Sequence, residues 1–433
     1  MAMTISQSAE LSLDPVPNEL GRHKLKVLVI DEEVPLPPNS GKRIRTWNLL
    51  RRLAPRHEVT LLCYGEADKP EIRELERAGI RVKVVAPSLE PLKWKLYLRL
   101  LQNLLSPLPF SVVKHYSNRF RQELDRLLEA ESWDVLHCEW TPYTHFVAKN
   151  TPCPVLVATH NVEYLIWQRR AHHSRNVIAK LFFYLQAEKM RRFEKRALKK
   201  AAGVTAVSTI DARMIKAWGV RDVAVVSNGI DLGTYGGIDG PEAENEILSI
   251  SSLDWYPNVD AIDFFLRTAW PMIQREHPQA IFRVLGRNAP RELRKRLEQT
   301  SGVVFHGDVA DLSPYLQQAS VVVVPLRIGA GSRLKILEAL AAGKAVVSTT
   351  VGAEGLELAP DVHILTADEP EDFARKVVEL LGSPARRKQL GDTGRGYVQE
   401  QYDWDKIARE LEKSWQQVSA RFANGRNSSG TTR

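Results

Sequence analysis

From Leu25 onward, short runs of β-branched and aliphatic residues recur along the chain: LKVLVI, EVTLLC, RVKVV, WDVLH, PVLVAT and GVTAV. Between most of them lie longer stretches with apolar residues at helical spacing. Strand-length runs that alternate with amphipathic helices predict a parallel sheet covered on both faces. The rhythm breaks after SNGID (227–231) in a glycine-rich, acidic stretch, TYGGIDGPEAEN, and then restarts as ILSIS, AIFRVL, GVVFH, SVVVVP and KAVVST. The pattern therefore predicts two similar, doubly wound α/β domains joined near residue 240. The expected boundaries are a loose leader over 1–23, a first domain over 24–236 and a second over 244–398. A terminal helix over 399–421 is expected to pack back on the first domain, followed by a polar, disordered tail over 422–433. In sheets of this kind ligands sit beyond the carboxyl ends of the strands, so the loops after the strands are where chemistry belongs.

Composition narrows the class. The 433 residues are 44% hydrophobic and 26% charged, which suits two globular domains. The strongest apolar run, Val321–Val324, stops at Pro325, far short of the roughly 20 residues a membrane-spanning helix needs. The leader lacks a basic start and an apolar core, so a cytoplasmic location is expected, at the inner face of a membrane if the chain meets lipid. Cys63, Cys138 and Cys153 are odd in number and irregularly spaced, which supports neither a disulfide framework nor a zinc site.

Charge is localised. Residues 164–200 carry eleven Lys or Arg against Glu188 and Glu194, while the whole chain is +8. No zinc-finger or RNA-binding signature accompanies this basic stretch, so nucleic acid is not an expected partner. Together with LEPLKWKLYLRLLQNLLSPLPF (89–110), it reads either as a face for an anionic membrane or acceptor, or as helices packed on the sheet with a solvated basic rim.

The segment 325–344, PLRIGAGSRLKILEALAAGK, has a strand ending at Pro325, a glycine-containing loop and a helix expected to start near Ser332. Gly329 and Gly331 allow backbone to approach a ligand, and the free N–H groups of the helix start, Ser332 included, favour an anion. Arg333 and Lys335 add full charges, so a diphosphate suits the loop. Glu338, between one and two turns into the helix, is placed to accept hydrogen bonds from a ribose diol. Taken alone, Arg333, Lys335 and Glu338 also read as a solvated helix face with an ion pair.

In combination with SNGID, FHGDVADLSPYLQQASVVVVP and VGAEGL, this segment resembles the nucleotide-sugar glycosyltransferases of family four, the group-one type with the two-domain GT-B fold. The resemblance runs from about Lys24 to Trp415. It implies two Rossmann-like domains facing each other across a cleft, with the donor on the C-terminal one. By that resemblance Glu338 matches the ribose-binding Glu and Arg333 and Lys335 meet the diphosphate. The strand-end loops with Gly286 and with Gly307 to Val309 frame the donor. Two departures stand out. The family's first Glu of the phosphate loop falls at Ala330, and the opening strand of the second domain leads into SLDWYPNVD without the usual Arg and Lys. This resembles the sub-branch with a G-x-G-[ST]-R loop, in which Arg333 and Lys335 take over.

In the first domain, Ser40-Gly41 precedes an amphipathic helix, and the family places this loop at the interdomain cleft. Gly41 and Lys42 are therefore expected on the acceptor or phosphate side, although Lys42, Arg43 and Arg45 fit an exposed basic turn equally well. ATHNVEY puts His160 at a strand's carboxyl end, where the family carries a cleft His close to the transferring sugar. Glu163 is expected to orient His160 or an acceptor hydroxyl, with Asn161 beside it in the turn. Asp403-Trp404-Asp405 looks like a metal-binding D-x-D but opens the terminal helix, where capping explains it better. No cofactor and no metal are expected. The resemblance implies transfer of a sugar from a nucleotide sugar to a glycan or lipid-linked acceptor with retention of configuration. A nucleotide-sugar epimerase of the same fold and a non-catalytic nucleotide-sugar-binding protein are the rivals.

Overall fold

The computed structural model describes residues 24–430 except 88–92, 175, 239, 310 and 329–333. The first sheet contains, among the described residues, β1 (Lys26–Ile30), β2 (Glu58–Tyr64), β3 (Ile80–Val85), β4 (Val135–Cys138), β5 (Val155–Thr159), β6 (Gly203–Ala206) and β7 (Val223–Val225). Their order is β3-β2-β1-β4-β5-β6-β7, with every pairing parallel. Alternation along β1 explains why both faces are covered. Val27 and Val29 pack with the terminal helix and the helix Gly41–Leu53, whereas Leu28 and Ile30 pack with Phe120, Leu124 and Tyr143 on the other side.

The second sheet contains β8 (Glu246–Ser252), β9 (Ile281–Arg287), β10 (Val303–His306), β11 (Val321–Val324), β12 (Ala345–Ser348) and β13 (Leu365–Thr366), in the order β10-β9-β8-β11-β12-β13. These pairs too are all parallel. In the all-valine β11, Val321 and Val323 enter one core cluster and Val322 and Val324 the other. The strand order reverses between β1 and β4 in the first domain and between β8 and β11 in the second. Those two points are where a doubly wound sheet opens a crevice.

The chain crosses between the domains twice, side by side. Residues 226–231 lead from the first sheet into the second domain, and Tyr402 and Asp403 lead back, with Ile230 N–H donating to the Tyr402 carbonyl at 2.7 Å. Gly229 is required here, because a Cβ on it would lie 2.6 Å from Trp404 Cδ2. The returning helix, Trp404–Gly430, buries Trp404, Ile407, Leu411, Trp415 and Val418 against the first sheet. It extends beyond the tail boundary expected at 422, since a nucleated helix gains a hydrogen bond for each residue it adds. Among the described residues no helix is long and apolar enough to cross a membrane.

Candidate active site

The strand ends at the first switch point carry ionisable side chains. Asp31 follows β1, Glu139 follows β4 and His160 follows β5, and Asp31 and Glu139 are buried. Ser40 caps the next helix by accepting from Arg43 N–H at 3.3 Å, which sets Gly41–Leu53 running away from this cluster. Lys42 in its first turn is 2.5 Å from Asp31 Oδ1 and 2.8 Å from Glu32 Oε1. Sequence placed Lys42 either on the acceptor or phosphate side or on an exposed basic turn. The exposed turn is excluded, because two carboxylates hold the ammonium and its side chain is only 17% exposed. Burial pushes the Asp31 carboxyl up to about 6, with Glu139 and Glu32 adding to the shift and Lys42 opposing it.

Arg45, also buried, reaches back from the same helix to the Ser227 carbonyl at 2.6 Å and Asn228 Oδ1 at 3.0 Å. Its Nε lies 3.8 Å from Glu139 Oε1. The SNGID segment recognised in the sequence is thus the piece of backbone gripped by the first helix at the domain crossing, and Arg51 binds its Asp231 at 3.2 Å.

His160 Nε2 is 3.4 Å from Glu139 Oε1. Burial drives its imidazole down to about 3, with Arg45 and Lys42 adding to the effect and Glu139 opposing it, so the ring is neutral. Of the two roles expected for Glu163, orienting His160 or an acceptor hydroxyl, the first does not match its contacts: its Oε1 accepts from Trp140 Nε1–H at 3.0 Å, and Asn161 bonds it as well. The carboxylate that meets His160 is Glu139. Sequence reasoning missed it, although HCE closing a buried strand was the available signal. Glu194, on the basic helix Val177–Lys200, accepts the N–H groups of Glu163 and Tyr164 at 2.9 and 3.0 Å and so caps the helix Glu163–His173.

At the second switch point, the segment with Gly329, Gly331, Ser332 and Arg333 lies outside the described residues. The helix that follows is Leu334–Ala341. Lys335 Nζ donates to Ser251 Oγ at 3.1 Å and Asn258 Oδ1 at 3.0 Å. The SLDWYPNVD stretch, which lacks the family's Arg and Lys, thereby supplies through Asn258 one of the two acceptors that hold a lysine from the neighbouring strand end, and Ser251, just before it in β8, supplies the other. Glu338, one turn on and buried, accepts from Tyr235 O–H at 3.4 Å. Burial raises its carboxyl, against Lys335 and the tyrosine hydroxyl.

The space above Gly307 is open, and Val309 packs against the second domain's core. At Gly286 a Cβ would collide with Leu253, so protein fills the space that its missing side chain leaves. A Cβ on Gly41 would lie 3.4 Å from Leu334 Cδ1. The first turn of the helix after β1 therefore abuts the start of the Lys335 helix, and the two switch points confront each other across the domain boundary. Asp403 Oδ1 accepts from the N–H groups of Asp405 and Lys406, and Asp405 pairs with Arg52 at 2.6 Å, so this D-x-D serves the junction.

Comparison with known proteins agrees with this arrangement. Residues 71–234 match the model of glycosyltransferase family 4, and residues 244–383 match that of glycosyl transferases group 1. A 44.6 kDa protein of the cps region of Klebsiella pneumoniae is 22% identical over 410 residues, covering 90% of this chain and 99% of its own. An MMP alpha-(1->4)-mannosyltransferase of Mycolicibacterium hassiacum is 26% identical over 46% of this chain and 49% of its own. Among solved structures, Anabaena HepE in complex with UDP and glucose superposes with a TM-score of 0.64 at 15% identity, over 90% of this chain and 99% of its own. With paired parallel sheets, facing switch points and a family model on each domain, the chain is a glycosyltransferase of the GT-B fold.

Proposed function

We propose that the protein transfers a sugar from a nucleoside diphosphate sugar to a hydroxyl of a glycan or lipid-linked acceptor, with retention of configuration and without a metal ion, in polysaccharide or cell-envelope synthesis. One observation carries the reading: Lys335 and Glu338 stand at the second domain's switch point, opposite the His160 cluster at the first. In this reading Lys335, Arg333 and the adjoining helix start balance the diphosphate, and Glu338 accepts from the ribose hydroxyls. The acceptor hydroxyl attacks the anomeric carbon on the face the diphosphate leaves. The bond from that carbon to the phosphate oxygen breaks as the new carbon–oxygen bond forms, and the hydroxyl proton passes to the departing phosphate. His160, being neutral, contributes a hydrogen-bonding ring to the reacting sugar rather than a proton. Membership in polysaccharide assembly is supported by the cps-region relative.

The reading extends to lipid. In the N-terminal half of the helix Val177–Lys200, Val177 (79%), Ile178 (82%) and Leu181 (72%) are exposed, and in its other half Arg191, Arg192, Lys195 and Lys199 are exposed. Sedimentation with anionic vesicles, absent with neutral ones, is the expected result, and no sedimentation with either removes this part.

The donor assignment is tested by calorimetry of uridine, guanosine and adenosine diphosphates and their sugars, with and without magnesium. Binding by one nucleotide family, equal in both conditions and weakened in Glu338→Ala, is expected. Equal binding by the variant would sink the donor site, and dependence on magnesium would sink the metal-free mechanism. An inverted anomeric centre in the product, read by NMR, would exclude retention.

A further inference from the structure

Behind His160 runs a buried chain of polar contacts that ends on the terminal helix. Trp415 Nε1–H donates to His137 Nδ1 at 2.9 Å. A ring nitrogen that accepts carries no proton, so the proton of His137 is on Nε2. That nitrogen lies 2.9 Å from Glu139 Oε2, while the other carboxylate oxygen lies 3.4 Å from His160 Nε2. The side chains of His137 and Glu139 are 1% and 2% exposed, and that of His160 is 11%. Against the cost of burial, His137, His160 and Arg45 hold the Glu139 carboxyl down at about 2.

An ionised carboxylate can only accept, so each imidazole nitrogen turned to it keeps a proton. Neither contact is a straight hydrogen bond. Each still decides the tautomer, because moving the proton to the far nitrogen would set a lone pair against a buried negative charge. On His160 the proton therefore belongs on Nε2, which leaves Nδ1 as the accepting nitrogen.

We propose that Glu139 is a positioning residue that fixes His160 as the Nε2–H tautomer, so that Nδ1 accepts from a hydroxyl of the reacting saccharide, and that Trp415 locks the arrangement through His137. The inference rests on the proposed role of His160 beside the transferring sugar. It also gives the returning helix a function: the residue that sets the far end of the chain, Trp415, lies beyond the second domain in sequence yet packs in the first.

The geometry makes an unusual demand on Glu139→Gln. The amide has one accepting and one donating end. His137, 2.9 Å away with its proton held on Nε2 by Trp415, takes the carbonyl in preference to Arg45 at 3.8 Å and to Thr46, which has Asp31 as a second acceptor, so the amino group faces His160 and forces it to the Nδ1–H tautomer. Adding Trp415→Phe frees His137 to accept, lets the amide turn over and restores His160. Long-range proton–nitrogen NMR of the full chain, labelled at histidine, reads these states directly.

Wild-type protein is expected to show Nε2–H at both His137 and His160. Nδ1–H at His160 in the wild type overturns the proposal whatever the variants do. Glu139→Gln is expected to lose about a hundredfold in kcat with the donor KM within about threefold, and the double variant to regain about tenfold. Undiminished kcat in Glu139→Gln, with His160→Ala inactive, refutes the positioning role and leaves His160 in place. A fully active His160→Ala refutes the role of His160 itself and the proposal with it. Absence of any recovery in a double variant that melts like Glu139→Gln overturns the part given to Trp415.

Discussion

Glu338 is a buried carboxyl and Glu163 a half-buried one, each costs the fold something, and the cost separates binding from stability. Glu338→Ala should weaken binding of the nucleoside diphosphate by about thirtyfold, or ~2 kcal/mol, the size of a charge-assisted hydrogen bond, as measured by calorimetry. Glu163 gives a pH signature. Its carboxyl is pushed up from 4.5 to about 7, chiefly by burial and with Glu32 adding, against donation from Trp140. A raised carboxyl binds its proton more tightly in the folded chain. Its contribution to stability is complete below about 4.5 and is lost as pH rises through about 7. Glu163→Gln removes that loss, so the variant's melting temperature relative to wild type should climb between about pH 4.5 and about pH 7 and level off above. A constant difference across that range would show that Glu163 does not titrate there. Strand-end position and the family resemblance together made His160 legible in the sequence. Glu139 had a signal in HCE closing a buried strand, but its meeting with Asp31 was not legible, because what brings them together is the adjacency of β1 and β4, and more than a hundred residues separate those strands. Alternation of strands and helices predicts parallel pairing but not which strands become neighbours.

Among the elements, the long β-branched runs declared themselves, while β7 and β13, at three and two residues, carry too little pattern to stand out. The terminal helix was legible through its apolar spacing up to Val418. Its return to the first domain was expected too, but the close approach of two backbones at Gly229 that the crossing requires was not legible. A Cβ there meets Trp404 at 2.6 Å and the Tyr402 carbonyl at 2.9 Å, and neither is a flexible end that can move aside. Gly229→Ala is therefore expected to destabilise the chain by about 1–3 kcal/mol, the range for overpacking, and to lower the urea midpoint. If the midpoint is unchanged, the two crossing segments are not packed as described. Gly41 is a milder case. Its Cβ space at 3.4 Å from Leu334 admits alanine with a small adjustment but not a branched side chain. Gly41→Val should leave folding intact and raise the donor KM, by prising the first helix from the start of the Lys335 helix, and Gly41→Ala should resemble wild type.

At the scale of the whole molecule, the two domains are tied by backbone at one end of the cleft and by a charge pair elsewhere. Arg169, on the helix Glu163–His173, lies 2.7 Å through Nη1 from Glu354 Oε2, and Nη2 donates to Oε1 at 2.8 Å. Glu354 follows the short helix after β12, so this contact spans the domain boundary, beside a hollow lined by Leu165, Asp211 and Met214. Both side chains are about a quarter exposed, which limits the pair to about 1 kcal/mol and makes it sensitive to salt. That is too little to hold a domain fold together but enough to shift an equilibrium between open and closed cleft by roughly fivefold. Arg169→Gln should therefore leave the melting temperature within about a degree of wild type while moving the distribution of interdomain distances toward open forms, as read by energy transfer between dyes on the two domains. High salt should move the wild type the same way and leave the variant unmoved. The exchange Arg169→Glu with Glu354→Arg should restore the wild-type distribution, because it restores the attraction without restoring either residue. If the exchange stays open, the contact acts through packing of the arginine stem on the hollow rather than through charge, and closure must then be driven by the substrates alone.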